Sequence, residues 1–149
     1  KNIEIAIASM STLNKDAADL LKQFNPSAVT DISGFGLLGH LKEVCDNSNV
    51  TAIIDFSKLK FLPGARSLAK SNIIPGGTLR NYDYVKDFCE FNATLSQLDH
   101  LLAADAQTSG GLLIALNEVE AKKFIYSYNE DSAIIGVVEP RGKNLIKVI

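Results

Sequence analysis

Residues 30–40 read TDISGFGLLGH, and this stretch joins two different hydrophobic patterns. The apolar run before it, residues 28–32, has the length of a short strand. Residues 37–45 after it repeat apolar side chains at helical spacing, so we predict a strand that ends in a glycine loop and opens a helix. Backbone N–H groups of such a loop and of the first helical turn attract anions. The carboxylate of Asp31 can cap this helix or hold a divalent cation against a phosphate, and both roles stay open.

The composition is that of one ordinary domain. The chain has 149 residues, 46% of them hydrophobic, and a chain of this length buries about 70% of its unfolded surface on folding. Its 15 basic and 17 acidic residues are nearly balanced, and they form no cluster typical of a nucleic-acid surface. The apolar runs are shorter than the roughly 20 residues of a membrane helix, so we expect neither nucleic acid nor membrane as a partner. Because the chain begins at Lys1 and its only methionine is Met10, we expect a fragment or a processed product.

The cysteines and histidines suggest structural roles. Cys45 and Cys89 have no near partner and no metal-binding spacing. Since Cys45 falls on the apolar stripe of a predicted helix, we predict a buried thiol, which fits a reducing, cytoplasmic location. We predict that His40 makes a fixed structural hydrogen bond and that His100 is a surface or capping residue. No Ser/His/Asp arrangement and no Walker-type lysine accompanies the glycine loops, so we predict no catalytic residue in this chain.

The hydrophobic patterns predict one α/β domain over residues 1–149, with helices packed on a mixed sheet. Residues 1–10 fit a strand or a helix, and we favour a helix that leads in from an upstream part. Residues 85–91 fit a strand or a helical turn, and this alternative stays open. Residues 139–143 are predicted to join the last two strands as a hairpin. The other predicted helices are 13–24, 37–45, 65–71, 95–102 and 118–128, and the predicted strands are 28–32, 50–56, 112–116, 133–138 and 145–149.

Three glycine loops carry most of the polar chemistry. We call residues 30–36 the first loop, residues 74–78 the second loop and residues 105–111 the third loop. The first and third share one order of residue types: an acid, a hydroxyl, two glycines and then a pair of leucines. Glycines let a backbone approach a ligand closely, hydroxyls suit phosphate oxygens, and acids suit a hard cation. Each loop alone also fits a turn with a helix cap, but three in one small domain favour a phosphate and metal site.

These loops resemble sequence blocks of the selenophosphate synthetase (selenide, water dikinase) family. Residues 30–40 resemble its TD-[VI]-[TS]-GFGLLGH signature, residues 107–113 its DPQTSGGLL block, and residues 75–81 its PGGT-x-x-N block. The lead-in Met10-x-x-Leu13-Asn14 is also similar, and the blocks follow in order over nearly the whole chain. The chain departs from the family at two positions. Ser33 replaces the commoner threonine and keeps the hydroxyl, whereas Ala106 stands where proline is usual and loosens one turn.

The resemblance implies the C-terminal domain of a two-domain enzyme, with the fold of that domain in the aminoimidazole ribonucleotide synthetase superfamily. The family's N-terminal domain supplies a glycine-rich nucleotide segment, a reactive Cys or selenocysteine and most metal-binding aspartates. The whole enzyme, expected as a homodimer, makes selenophosphate, AMP and phosphate from ATP, selenide and water, with Mg²⁺ and commonly K⁺. Asp31 matches the family's metal-binding aspartate of this domain, and the isolated chain is expected to be inactive. The candidate phosphate-side residues are Thr30, Ser33, Gly34, Gly36, Gly76, Gly77, Thr78, Asn81, Asp105, Gln107, Thr108, Ser109, Gly110 and Gly111.

Two alternatives to this interpretation stay open. The chain fits a domain of a sister ATP-using enzyme of the same superfamily, in which selenide would be inert and another acceptor would stimulate ATP cleavage. It also fits a non-catalytic binding or dimerisation module whose loops are only structural turns. In that case an Asp31→Asn change would leave magnesium-dependent ATP cleavage untouched.

Overall fold

The computed structural model describes residues 2–128 and 132–149, and these residues form seven α-helices and six strands. The helices are α1 Asn2–Ser11, α2 Lys15–Leu21, α3 Gly36–Ser48, α4 Ala65–Lys70, α5 Gly76–Val85, α6 Gln97–Ala103 and α7 Glu118–Ser127. The strands are β1 Ala28–Asp31, β2 Val50–Ile54, β3 Cys89–Phe91, β4 Leu112–Ala115, β5 Gly136–Pro140 and β6 Ile146–Val148. The predicted α/β class is confirmed. Within the described ranges, no helix is both long and apolar enough to cross a membrane.

The strands form two sheets rather than one. Strands β1 and β4 pair antiparallel, while the larger sheet has the order β3-β6-β2-β5. In the larger sheet β6 lies parallel to both β2 and β3, and β5 lies antiparallel to β2. The predicted hairpin through residues 139–143 is therefore wrong, because β2 lies between β5 and β6. The connection crosses the end of β2, where Thr51 Oγ1 donates to the Asn144 carbonyl at 2.7 Å and accepts from the Gly142 N–H at 2.9 Å.

The main core lies between α3 and the larger sheet. The apolar stripe of α3 buries Leu38, Leu41 and Cys45 against residues of β2 and β6, as its helical spacing predicted. Cys45 is fully buried, which confirms the predicted buried thiol. A second, smaller cluster packs α2 and α7 on the two-stranded sheet, with buried residues Ala17, Leu21 and Phe124. Leu112 and Ile114 of β4 pack against this smaller cluster, while Leu113 of the same strand packs against the main core.

Two local predictions are changed by where the helices begin and end. The prediction of a loop at residues 74–78 is wrong, because α5 begins at Gly76 directly after Pro75. Glycine is unfavourable inside a helix but is tolerated in its first turn, where the N–H groups have no helical partner anyway. Residues 85–91 resolve into a 3₁₀ turn, Lys86–Phe88, followed by β3. The favoured helix at the start of the chain is confirmed as α1, except for Lys1, which lies outside the described residues.

His100 is not the surface or capping residue that we predicted. The N-terminal end of α6 is capped by Ser96 and Asp99, whose side chains form a capping box. The His100 ring instead stacks on Phe91 with 3.9 Å between ring centres, and its two nitrogens are buried without a well-formed hydrogen bond to described residues. Burial lowers the pKa of His100 below its ordinary value, an effect that the nearby Asp99 carboxylate partly opposes. The residue therefore contributes to the core as a neutral aromatic ring.

Candidate functional site

The first and third loops leave the same end of the two-stranded sheet. In the antiparallel pair, Asp31 at the end of β1 lies opposite Leu112 at the start of β4. Backbone hydrogen bonds continue past the strands: the Ile32 N–H donates to the Gly111 carbonyl at 2.9 Å, and the Gly110 N–H donates to the Ile32 carbonyl at 2.8 Å. The Gln107 N–H then donates to the Ser33 carbonyl at 3.1 Å. The two loops that look alike in sequence are thus neighbours in space.

Helix α5 ties these two loops together through two buried polar side chains. The amide of Asn81, 8% exposed, donates to the Gly34 carbonyl at 2.8 Å and to the Ala104 carbonyl at 3.3 Å. The hydroxyl of Thr78, 2% exposed, donates to Asp105 Oδ1 at 2.7 Å and accepts from the Ala106 N–H at 3.1 Å. Buried polar groups are stable only when they are hydrogen-bonded, so these contacts hold all three predicted loop regions in one arrangement.

The four glycines of the first and third loops divide into two kinds. Gly36 has a φ of +68°, and a Cβ there would lie 2.4 Å from the Asp105 carbonyl oxygen. A Cβ at Gly110 would lie 2.6 Å from the Ile32 carbonyl oxygen. At Gly34 and Gly111, by contrast, a Cβ would meet no atom of residues 2–128 or 132–149 within 4 Å. Gly36 and Gly110 are therefore required by the crossing of the two loops, while Gly34 and Gly111 leave open space in which a ligand can reach the backbone.

Asp31 is exposed, and its carboxylate makes no hydrogen bond or ion pair with the residues that the structure describes. The residue at the N-cap position of α3 is Phe35, and no side chain of the described residues caps the start of that helix. Of the two roles that the sequence left open, capping is therefore not the one that Asp31 adopts. In residues 2–128 and 132–149, no group of three or more His, Cys, Asp or Glu side chains is placed to hold a metal ion.

Asp105, the acid of the third loop, has a different environment. Its Oδ1 accepts from Thr78 and its Oδ2 accepts from Gln107 Nε2 at 2.7 Å. Both carboxylate oxygens are thus engaged by other parts of the loop cluster, and the side chain is half-buried. In this arrangement Asp105 braces the third loop against α5.

His40 has the structural role that we predicted. The ring is 9% exposed, and its Nε2 accepts from the Ser33 N–H at 3.2 Å and lies 3.1 Å from Ser33 Oγ. Accepting from an amide requires Nε2 to be without a proton, so we assign the ring proton to Nδ1. Nδ1 lies 3.9 Å from the Glu43 carboxylate. The histidine thereby holds the first loop against its own helix.

Besides Asp31, exposed polar groups at this end come from the third loop and α5. Thr108 and Ser109 are exposed, and Ser109 has a φ of +56°, a backbone conformation that few residues other than glycine adopt. A Cβ at Gly76 would lie 3.4 Å from Arg80 Nη1, so the guanidinium folds back over the first turn of α5. The N-terminal end of a helix carries a partial positive charge. An anion at this end of α5 would therefore meet helix N–H groups and a cationic side chain together.

Two features of this end escaped the sequence analysis. A cavity of about 310 Å³ opens between α3 and α5, lined by Phe35, Glu43, Arg80, Asn81 and Tyr84. The sequence feature that could have indicated this cavity is the large apolar residue Phe35 between two loop glycines. In the structure Phe35 is 57% exposed. The second feature is Asn14, whose amide donates to the Gly110 carbonyl at 2.9 Å. This contact gives a physical reason for the sequence block that contains Asn14, because it anchors the third loop from the side of α2.

The chain is similar in sequence to one described domain family and to a set of curated proteins. The family model described as "AIR synthase related protein, C-terminal domain" matches residues 7–149. A "Selenide, water dikinase" of Aliarcobacter butzleri is 43% identical over 137 residues, which cover 89% of this chain and 39% of the relative. Proteins of the same name from Campylobacter jejuni and Porphyromonas gingivalis are 37% and 40% identical, over 97% and 82% of this chain and 42% and 34% of the relatives. The matches confirm the resemblance that the three loops predicted, and the chain spans about two fifths or less of these relatives' length.

Proposed function

This chain belongs to the AIR synthase related protein, C-terminal domain, family, and we propose that it is the C-terminal domain of a selenide, water dikinase. The whole protein would convert ATP, selenide and water to selenophosphate, AMP and phosphate. The observation that carries the proposal is the exposed, uncommitted carboxylate of Asp31 at the point where the loops meet. The names of the chain's relatives support the reaction, and the exposure of Asp31 supports a role for this residue in holding a cation.

The surroundings of Asp31 suit a phosphate-bound cation. Mg²⁺ takes oxygen ligands in an octahedral arrangement and is commonly held by one or two carboxylates together with substrate phosphates. Asp31 has no intramolecular partner among the described residues that a cation would have to displace. Gly34 and Gly111 beside it leave the backbone open, so phosphate oxygens can approach their N–H groups.

The residues of this chain would bind and orient the polyphosphate. Mg²⁺ would neutralise charge that develops as phosphoryl groups transfer. Asp31 would hold that ion, the hydroxyls of Thr108 and Ser109 would donate to phosphate oxygens, and Arg80 would add positive charge at the first turn of α5. Thr78 and Asn81 would act indirectly, because their hydrogen bonds hold the loops in place.

A second, upstream domain is part of the proposal. Cleavage of two phosphate bonds needs several carboxylates that hold cations against the polyphosphate, so the remaining acidic ligands and the reactive Cys or selenocysteine would come from that domain. Closure of the two domains would complete the metal site and exclude water. Because these groups would lie in the other domain, we infer that the isolated chain is inactive. From the resemblance to the family alone, we also propose that K⁺ assists the whole enzyme and that it acts as a cytoplasmic homodimer.

The test is selenide-dependent AMP formation by the full-length protein, measured by chromatography of the nucleotides. We expect AMP to form only with selenide and Mg²⁺ present. Asp31→Asn should lower the rate about 100-fold, the scale seen when one charge-stabilising group is removed from an active site. The matched control is Asp16→Asn, which removes an exposed carboxylate in the first turn of α2 and should leave the rate unchanged.

Three outcomes would contradict the proposal. A folded full-length protein that makes no AMP from selenide and ATP is not a selenide, water dikinase. ATP cleavage stimulated by another acceptor, but not by selenide, would identify a sister enzyme of the superfamily. Magnesium-dependent cleavage that survives Asp31→Asn unchanged would show that the first loop is only a structural turn.

A further inference from the structure

Helix α1 is apolar on its outer side as well as its inner side. None of its residues is buried, and its sequence NIEIAIASMS contains a single charged residue, Glu4. Ile3, Ile7 and Met10 are 75%, 53% and 43% exposed. At about 100° per residue these three positions fall within one arc of roughly 60°, with Ile5 on the opposite side of the helix. We call Ile3, Ile7 and Met10 the outer stripe of α1.

The inner side of α1 already lies on the domain. Ile5 is half-buried, and a Cβ added at Gly64 would lie 2.5 Å from Asn2 Nδ2, which places the start of α1 against the turn before α4. Helices at the surface of globular proteins normally alternate one apolar face with one polar face, whereas helices that are apolar all round are buried. The outer stripe therefore has the character of a face that another structure covers.

We propose that the outer stripe of α1 is the docking face for the upstream domain of the same polypeptide. This inference rests on the proposed function, which requires such a domain. The family match begins at residue 7, inside α1, and the chain covers only 39% and 42% of the relatives from Aliarcobacter and Campylobacter. A domain that precedes α1 in the chain is held beside the stripe at high effective concentration, which a separate protein is not.

The position of α1 gives this docking a consequence for the site. Residues 12–14 join α1 to α2, and within them Leu13 is 72% exposed. The next residue, Asn14, donates to the Gly110 carbonyl in the third loop. A domain packed on the outer stripe is therefore connected, through one short segment, to the loop that lies beside Asp31. Docking at α1 would therefore fix the position of residues 12–14, and with them the Asn14 side chain that anchors the third loop.

Thiol labelling of the full-length protein tests the docking face. In the described structure Ile7 is 53% exposed and Val119, on α7, is 62% exposed, so the two positions are matched. We would introduce Ile7→Cys and Val119→Cys separately and measure the added rate of reaction with a disulfide reagent over the parent protein. Cys45 is fully buried, and burial raises the pKa of Cys89 to about 12, so both native thiols of this chain react slowly.

We expect the thiol at position 7 to react at least about tenfold more slowly than the thiol at position 119 in the full-length protein. Ile3→Cys provides a second probe of the same stripe and should be slow as well. Equal rates at positions 3, 7 and 119 would overturn the proposal. Slow labelling that becomes fast when the protein is diluted would also overturn it, because the covering structure would then be a second copy.

The labelling result can be separated from the proposed reaction. AMP formation is measured on the same variants, and Ile7 and Val119 lie outside the loops that would bind phosphate. Slow labelling at position 7 in a protein without selenide-dependent AMP formation would keep the docking face and reject the reaction. Fast labelling in a protein that forms AMP would keep the reaction and reject the docking face.

Discussion

The first and third loops have the same order of residue types, yet their acidic residues have different environments. Asp31 is exposed and has no partner among the described residues, whereas both oxygens of Asp105 accept hydrogen bonds, from Thr78 and Gln107. The difference comes from position. Asp31 ends a strand at an open edge of the cluster, while Asp105 follows α6 and faces the buried hydroxyl of α5. Similar loop sequences therefore predict a shared location but not a shared role.

The glycines extend this comparison. In the first loop the second glycine, Gly36, is packed and Gly34 is open, while in the third loop Gly110 is packed and Gly111 is open. Each loop thus uses one glycine to cross the other loop and leaves one facing open space. Both loops thus have one packed and one open glycine, although their acidic residues differ in hydrogen bonding. The following predictions test both statements.

The largest effect is expected from Gly36→Ala. The new Cβ would meet the Asp105 carbonyl oxygen at 2.4 Å and would sit at a φ of +68°, so the crossing of the loops must open. Steric overlap and the unfavourable backbone conformation together should lower the free energy of unfolding by about 3 kcal/mol. The measurement is urea denaturation followed by circular dichroism.

Gly34→Ala is the matched control for that change. A Cβ at Gly34 would meet no atom within 4 Å in the part of the chain that the structure describes, so the free energy of unfolding should change by less than about 1 kcal/mol. If both alanine variants lost the same stability, the division of the glycines into packed and open would be wrong.

Thr78→Val should have the next largest effect. Valine keeps the shape of threonine but removes the hydroxyl that donates to Asp105 and accepts from the Ala106 N–H. Leaving these buried partners unsatisfied should cost about 2 kcal/mol. Thermal unfolding should therefore show a lower midpoint, and an unchanged midpoint would mean that Asp105 is not braced by α5.

Smaller effects on stability are expected when Asp105 and Asp31 are each replaced by asparagine, and the two variants can be compared directly. Asp105→Asn weakens one charge-assisted hydrogen bond and should lower the free energy of unfolding by about 1 kcal/mol. Asp31→Asn removes no intramolecular partner among the described residues and should change it by less than about 0.5 kcal/mol. Paired urea titrations of the two variants compare them. If both variants lost the same free energy of unfolding, Asp105 would not be held by hydrogen bonds that Asp31 lacks.

The smallest effect is expected for Ala106→Pro, which introduces the residue usual in the resembling family. Proline reduces the entropy of the unfolded chain but removes the N–H that donates to Thr78 Oγ1. The gain of about 0.4–1 kcal/mol and the loss of about 1 kcal/mol should nearly cancel. The turn that the sequence analysis regarded as loosened is in fact tied by this hydrogen bond.

A double-mutant cycle isolates that hydrogen bond. In the Thr78→Val background the Ala106 N–H has no acceptor to lose, so Ala106→Pro should raise the free energy of unfolding by about 0.5–1 kcal/mol. A proline effect that is the same in both backgrounds would show that the contact between positions 78 and 106 contributes nothing to stability.

The elements that were predicted well are those with strong local patterns. The apolar spacing along residues 37–45 predicted α3, and the apolar run over residues 50–56 predicted the strand β2. The prediction of a loop at residues 74–78 was wrong because its two glycines were taken as a sign of a loop, although Gly76 occupies the first turn of α5. His100 was misplaced because the preceding Asp99 suggested a surface or capping position, whereas its neighbours in space are aromatic rings.

The sequence by itself determined the α/β class, the buried face of α3, the structural role of His40 and the family to which the chain belongs. All of these follow from residues near one another in the chain or from the order of short blocks. Only the tertiary structure decided that β2 separates β5 from β6, and that Asp31 rather than Asp105 is available to a ligand. Thr78 lies 27 residues from Asp105 in the chain, and no local pattern encodes a contact over that separation. Packing brings α5 to one acid and leaves the other exposed.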